Sequence, residues 1–129
     1  MLAWAWLPFI LAAPPDAPEP LIELQVTSTT LTLGWHPPDD GGVPIVAYAL
    51  LGGLTDGPLR PVYDPLLAGE LGDPDRRTFT AQGLTPQTNY TYKLRATNSQ
   101  GHSEWSEPAY FVTTARLLRV SSVVPAAGP

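Results

Sequence analysis

Few residues in this chain are of a type and spacing that could do chemistry. Asp39 and Asp40 stand side by side in His36-Pro-Pro-Asp-Asp-Gly-Gly-Val-Pro44. Paired carboxylates suggest a calcium site when further oxygen ligands follow at fixed spacing. No third ligand follows here, and a solvated turn with glycines at positive φ accounts for the stretch better. Asp64 and Glu70 would be the pair for glycoside hydrolysis, but both fall in an irregular stretch with no strand to hold them. His36 and His102 lie far apart, each without an obvious carboxylate partner, and the serines lie in turn-like sequence. There is no glycine-rich phosphate loop, no metal-ligand spacing of histidines and no nucleophile elbow. With Cys 0 there is neither a thiolate metal site nor a disulfide frame. The expectation is no catalytic residue, no cofactor and no metal.

Two further groups have chemical meaning of a milder kind. Asn89-Tyr90-Thr91 is an N-glycosylation sequon, which matters only in a chain secreted by a eukaryote. Coincidence is the plainer reading of that triplet. Trp105 follows a stretch that carries Lys93 and Arg95, and a cation over an indole face is worth about 0.5–1 kcal/mol when exposed.

The elements that position these residues are strands. From Tyr90 to Thr97 the chain alternates, with Tyr90, Tyr92, Leu94 and Ala96 apolar and Thr91, Lys93, Arg95 and Thr97 polar. A period of two is that of a half-buried strand. It turns Lys93 and Arg95 to one face and Tyr90 to the other. Asn89, next to an inward Tyr90, then points outward. Pro86 supplies a turn before this strand, and Asn98 to Gly101 is a turn-rich exit. Earlier in the chain, Leu24 and Val26 read as the inward residues of a first strand. Leu31, Leu33 and Trp35 do the same for a second, and Val46, Tyr48 and Leu50 for a third. Pro61 to Asp64 reads as a short edge strand blunted by its proline. Thr78 to Ala81 and Ala109 to Thr114 are the remaining strands. Pro65 to Asp75 is a long irregular loop, either a binding loop or, more simply, a tolerated insertion.

Length and composition agree with this. The 129 residues, 43% hydrophobic, suffice for one domain with a core. Sixteen prolines disfavour long helices. A net charge of -5 argues against a nucleic-acid surface, and no run is long enough to cross a membrane as a helix.

Leu84-Thr-Pro-Gln-Thr-Asn-Tyr90 resembles the tyrosine corner of fibronectin type III domains, in which a buried phenol bonds a backbone group upstream. Trp35 takes the place of that family's core tryptophan. The stretch from Trp35 to Ile45 is similar to its Trp-x-Pro-Pro-x-Asp-Gly-Gly-x-Pro-Ile loop. Gly101-His-Ser-Glu-Trp-Ser-Glu-Pro108 is similar to its Gly-x-Ser-x-x-Ser-x-Pro pattern, and lies one residue away from the Trp-Ser-x-Trp-Ser motif of class I cytokine receptors. The resemblance implies an all-β, seven-stranded antiparallel immunoglobulin-like sandwich over 18–114, with Trp35, Tyr48, Leu84 and Tyr90 in its core. Residues 1–17 would be an apolar leader or linker. Met1 to Ala13 reads either as a signal peptide or as the edge of a longer chain. Residues 115–129 read as a linker or the start of a truncated next domain, because Val120 to Pro129 resembles the opening of an IPT/TIG domain.

Functionally, the resemblance implies a non-catalytic protein-binding or spacer module in a larger extracellular or cell-surface protein. Its partner would be an unidentified protein, and any membrane attachment would lie outside this chain. The loops Pro37–Pro44 and Asn98–Ser103, carrying Asp39, Asp40, Asn98, Gln100 and His102, would be the contact surface. The alternatives are a cytokine-receptor-like ligand-binding domain, with Trp105 stacked on Arg95 or Lys93, and an accessory module attached to an enzyme. No Arg-Gly-Asp occurs.

Overall fold

The computed structural model describes residues 11–116. The signal-peptide reading of the first residues and the IPT/TIG reading of the last ones lie largely outside them. Eight strands follow in order: β1 Ile22–Val26, β2 Leu31–Gly34, β3 Ile45–Leu54, β4 Arg60–Tyr63, β5 Thr78–Ala81, β6 Asn89–Asn98, β7 Gly101–His102 and β8 Ala109–Val112. They form two antiparallel sheets. One has the order β1-β2-β5. The other has β4-β3-β6, with β7 and β8 both paired to β6. The count is eight rather than seven because Ser103 to Pro108 interrupts the final strand and leaves two short pieces.

The core is the meeting of the two inner faces. Leu31, Leu33 and Trp35 come from the three-stranded side. Tyr48 and Leu50 of β3 and Tyr90, Tyr92 and Leu94 of β6 oppose them. Trp35 sits just beyond β2, and its backbone N–H donates to Arg77 O at 3.1 Å. Its ring is tilted against Tyr48, 5.5 Å between centroids, a separation at which aromatic pairs gain beyond their buried area. Tyr90 closes the lower end, where Thr85 N–H donates to its hydroxyl at 2.8 Å. Leu84 packs half-buried beside it.

Two strands depart from simple alternation. Glu23 pairs with Leu33 and Gln25 with Thr32, so Leu24 is the extra residue of a β-bulge. Leu24 is therefore 55% exposed rather than inward, and its side chain lies across Gly34 on the outer face. Likewise Ile45 pairs with Asn98 and Ala47 with Thr97, which leaves Val46 bulged and 43% exposed. Leu21 and Ile45 supply the core contacts instead. A bulge shifts the phase of a strand by one residue, and one residue exchanges its faces.

The proline-rich lead-in is tied to the sandwich upstream of Pro18. Ala13 N–H donates to Gly41 O at 2.9 Å, Asp16 N–H donates to Asp39 O at 3.0 Å, and Pro15 and Pro18 are buried. A domain boundary at Pro18 falls inside this strap.

Candidate binding site at the loop pole

At one end of the sandwich three segments meet: the β2–β3 loop, the β6–β7 turn and the strap. The β2–β3 loop is held by its own acids. Asp39 Oδ1 accepts from Gly41 N–H at 3.0 Å and Asp40 Oδ1 from Gly42 N–H at 2.8 Å. These are Asx turns, with both glycines at positive φ (77° and 99°). Each carboxylate is thus engaged with its own turn. Among the described residues no group of three or more metal-ligating side chains comes together.

Asn98 is the clamp of this pole. Its Nδ2 donates to Ala13 O and to Asp40 O, both at 2.7 Å, and its Oδ1 accepts from Gln100 N–H at 2.8 Å. It is 3% exposed. Asn98 is therefore no contact residue, contrary to the sequence-based expectation, because all its polar atoms are used to join loop, strap and turn. Asp39, Asp40, Gln100 and His102 are exposed. The strap bonds both loops. Asp40 lines a cleft of about 460 Å³ on one side, and His102 lines a smaller one of about 180 Å³ with Asp64 and Arg95.

The larger cleft lies between the β2–β3 loop and the segment before β5. Pro37, Pro44 and Pro74 give it apolar walls, Asp40 and Asp75 are acidic lining residues, and Arg77 and Tyr48 complete it. Arg77 Nη1 donates to Pro74 O and Arg76 O, both at 2.8 Å, which fixes the guanidinium 5.7 Å from the Tyr48 ring centroid. Tyr48 is 1% exposed, and among the described residues its hydroxyl has no hydrogen-bond partner. Among the described residues Trp35 Nε1 beside it is also without a partner. Burial pushes the Tyr48 phenol above its ordinary range, and the Arg77 charge opposes that rise.

On the outer face of the larger sheet, Arg95 is the residue over Trp105, with Cζ 4.6 Å from the ring centroid. Lys93 is half-buried on the same face. Arg95 also faces Asp64 at 3.7 Å, a partly screened pair of modest worth. Beneath this, Ser103 and Ser106 carry the broken strand. Ala96 N–H donates to Ser103 Oγ at 3.0 Å and Leu94 N–H to Ser106 Oγ at 2.9 Å. The stack is a single rung. Asn89 is exposed at the head of β6.

Sequence reasoning did not find the larger cleft, because Pro74, Asp75 and Arg77 are distant in sequence from Tyr48. The available signal was the proline run on both sides, which marks stiff walls but not their proximity.

The fibronectin type III domain family matches residues 16–112, about three quarters of the chain. The chain belongs to the fibronectin type III family. This fibronectin type III domain is 31% identical over 118 residues to Brother of CDO of Homo sapiens, covering 91% of this chain and 10% of that protein. It is 30% identical over 127 residues to Contactin-5 of Gallus gallus, covering 93% of this chain and 11% of that protein. Among solved structures it is similar to a crystal structure of titin domains, with a TM-score of 0.65 and 25% identity over 78% of this chain and 32% of that chain. The chain thus spans about a tenth of the length of each of these two relatives.

Proposed function

We propose that this fibronectin type III domain is a non-catalytic protein-contact module of a larger, modular extracellular or cell-surface protein. The observation that carries the reading is the cleft between the β2–β3 loop and the segment before β5, where proline walls stand beside Asp40 and Asp75. Stiff apolar walls cost little entropy on association. Asp40 and Asp75, in a chain of net charge -5, favour a partner segment that is basic or polar with an apolar stem. Long modular relatives such as Brother of CDO and Contactin-5 support the placement within a larger protein. In that setting the tail from Val120 opens a following IPT/TIG domain.

The test is charge reversal in the whole parent protein. Asp40→Lys with Asp75→Lys is expected to weaken recovery of the protein's complexes from intact cells, and Glu23→Lys on the distant β1 is expected to leave them unchanged. Equal recovery from all three would remove the cleft as the contact surface.

The Arg95–Trp105 stack favours a second reading, a cytokine-receptor-like ligand domain. Loss of a soluble ligand's binding on Arg95→Met, with the fold retained, would select it. Retained binding would leave the stack a structural feature of the sheet.

A further inference from the structure

Tyr90 is committed to the core, so its neighbours in Asn89-Tyr90-Thr91 face outward from β6. Asn89 is exposed. Across the strand pair, Asn89 lies opposite Val112 and Thr91 opposite Tyr110. Val112 is 56% exposed and Tyr110 65% exposed, so this face carries an apolar strip beside the sequon. Tyr110 is the diagonal neighbour of Asn89, about 7–8 Å away in such a ladder. We propose that Asn89 carries an N-linked oligosaccharide whose first sugar lies over the Val112–Tyr110 strip. The proposal rests on the extracellular placement argued above.

The chemistry needs a lipid-pyrophosphate-linked oligosaccharide and a transferase of the secretory pathway. Asn89 Nδ2 attacks the anomeric carbon of the first sugar. A carbon–nitrogen bond forms, the carbon–oxygen bond to pyrophosphate breaks, and the electron pair leaves with the pyrophosphate. Nδ2 gives up one proton, and nothing is oxidised or reduced. In the folded domain Thr91 is 6% exposed, with its hydroxyl 2.9 Å from Thr55 Oγ1. Transfer to the extended chain, before this hydroxyl is engaged, meets no such obstacle. Once the chain has folded, the sugar stands where Val112 and Tyr110 would otherwise face water, and the apolar body of the tyrosine ring suits the carbon–hydrogen face of a pyranose.

The test uses the full chain behind a supplied, cleavable signal peptide in a eukaryotic cell, so that entry does not depend on its own leader. Secreted wild-type chain and Thr91→Ser are expected to migrate slowly and collapse on peptide:N-glycosidase treatment. Asn89→Gln is expected to migrate as the collapsed form. Removal of the sugar is expected to lower the thermal midpoint below that of the glycosylated chain, and Asn89→Asp controls for the charge left by the enzyme. Secreted wild-type chain that is unshifted overturns the glycan. An unchanged midpoint overturns its packing on the strip. Failure of the placement itself reads differently, as absence of antibody labelling of the parent protein on unpermeabilised cells.

Discussion

Leu94 and Ser106 are paired twice. Ser106 N–H donates to Leu94 O at 2.7 Å, and Leu94 N–H donates to Ser106 Oγ at 2.9 Å. The side-chain hydroxyl stands in for the carbonyl that a regular neighbouring strand would offer. Ser103 does the same for Ala96 one rung higher. This is how the edge of β6 away from β3 stays satisfied between β7 and β8, where no strand runs along that edge. It also leaves Trp105 free to lie back over Arg95.

Ser106→Ala therefore strands a buried N–H. The expected loss is about 1–3 kcal/mol, read as a lower urea midpoint at unchanged slope. Glu107→Ala, one residue on and exposed, is expected to stay within about 0.5 kcal/mol of wild type.

Tyr90→Phe removes the acceptor of the Thr85 N–H while keeping the ring. A loss of about 1 kcal/mol or more is expected in chemical unfolding. An unchanged midpoint would mean that the phenol does not anchor the corner.

Gly41 and Gly83 separate two reasons for glycine. Both have positive φ, 77° and 70°. Among the described residues a Cβ on Gly83 meets nothing within 4 Å, whereas one on Gly41 would collide with Ala13 O. Gly83→Ala is expected to cost only the backbone conformation, about 1–2 kcal/mol. Gly41→Ala should cost more and also free the strap, seen as faster amide exchange at Ala13 and Asp16. Equal costs with a protected strap would contradict the docking of the lead-in.

Tyr92 carries a pH dependence. Burial pushes its phenol up to about 12, with nearby Tyr90 adding to the rise. The folded state thus holds its proton where the unfolded chain, with a pKa near the ordinary value of about 10, releases it. The stabilisation is complete below about pH 10 and is lost as pH rises toward about 12. Tyr92→Phe should flatten part of the fall in thermal midpoint across that window. The buried Tyr48 phenol, also raised, keeps a remainder.

Much of this was legible in the sequence for a physical reason. The alternation from Tyr90 to Ala96, the position of Trp35 and the spacing from Leu84 to Tyr90 are local patterns that fix which face is buried. The bulges at Leu24 and Val46 were not legible, because an inserted residue is defined by how two strands pair and not by its type. Asn98 was misplaced for a similar reason. An asparagine in a turn is polar whether it meets solvent or three backbone groups, and two of its partners, Ala13 and Asp40, are far away in sequence. The cleft at Tyr48 depends on the carbonyls that hold Arg77, which no local pattern announces.

The most direct test of the contact surface is a photo-crosslinking residue placed in the parent protein on living cells. Placed at Asp75, in the cleft, it is expected to capture a discrete protein partner. Placed at Thr80, on the exposed face of β5, it is expected to capture none. Capture at Thr80 with none at Asp75 would contradict the account and move the contact surface to the other sheet.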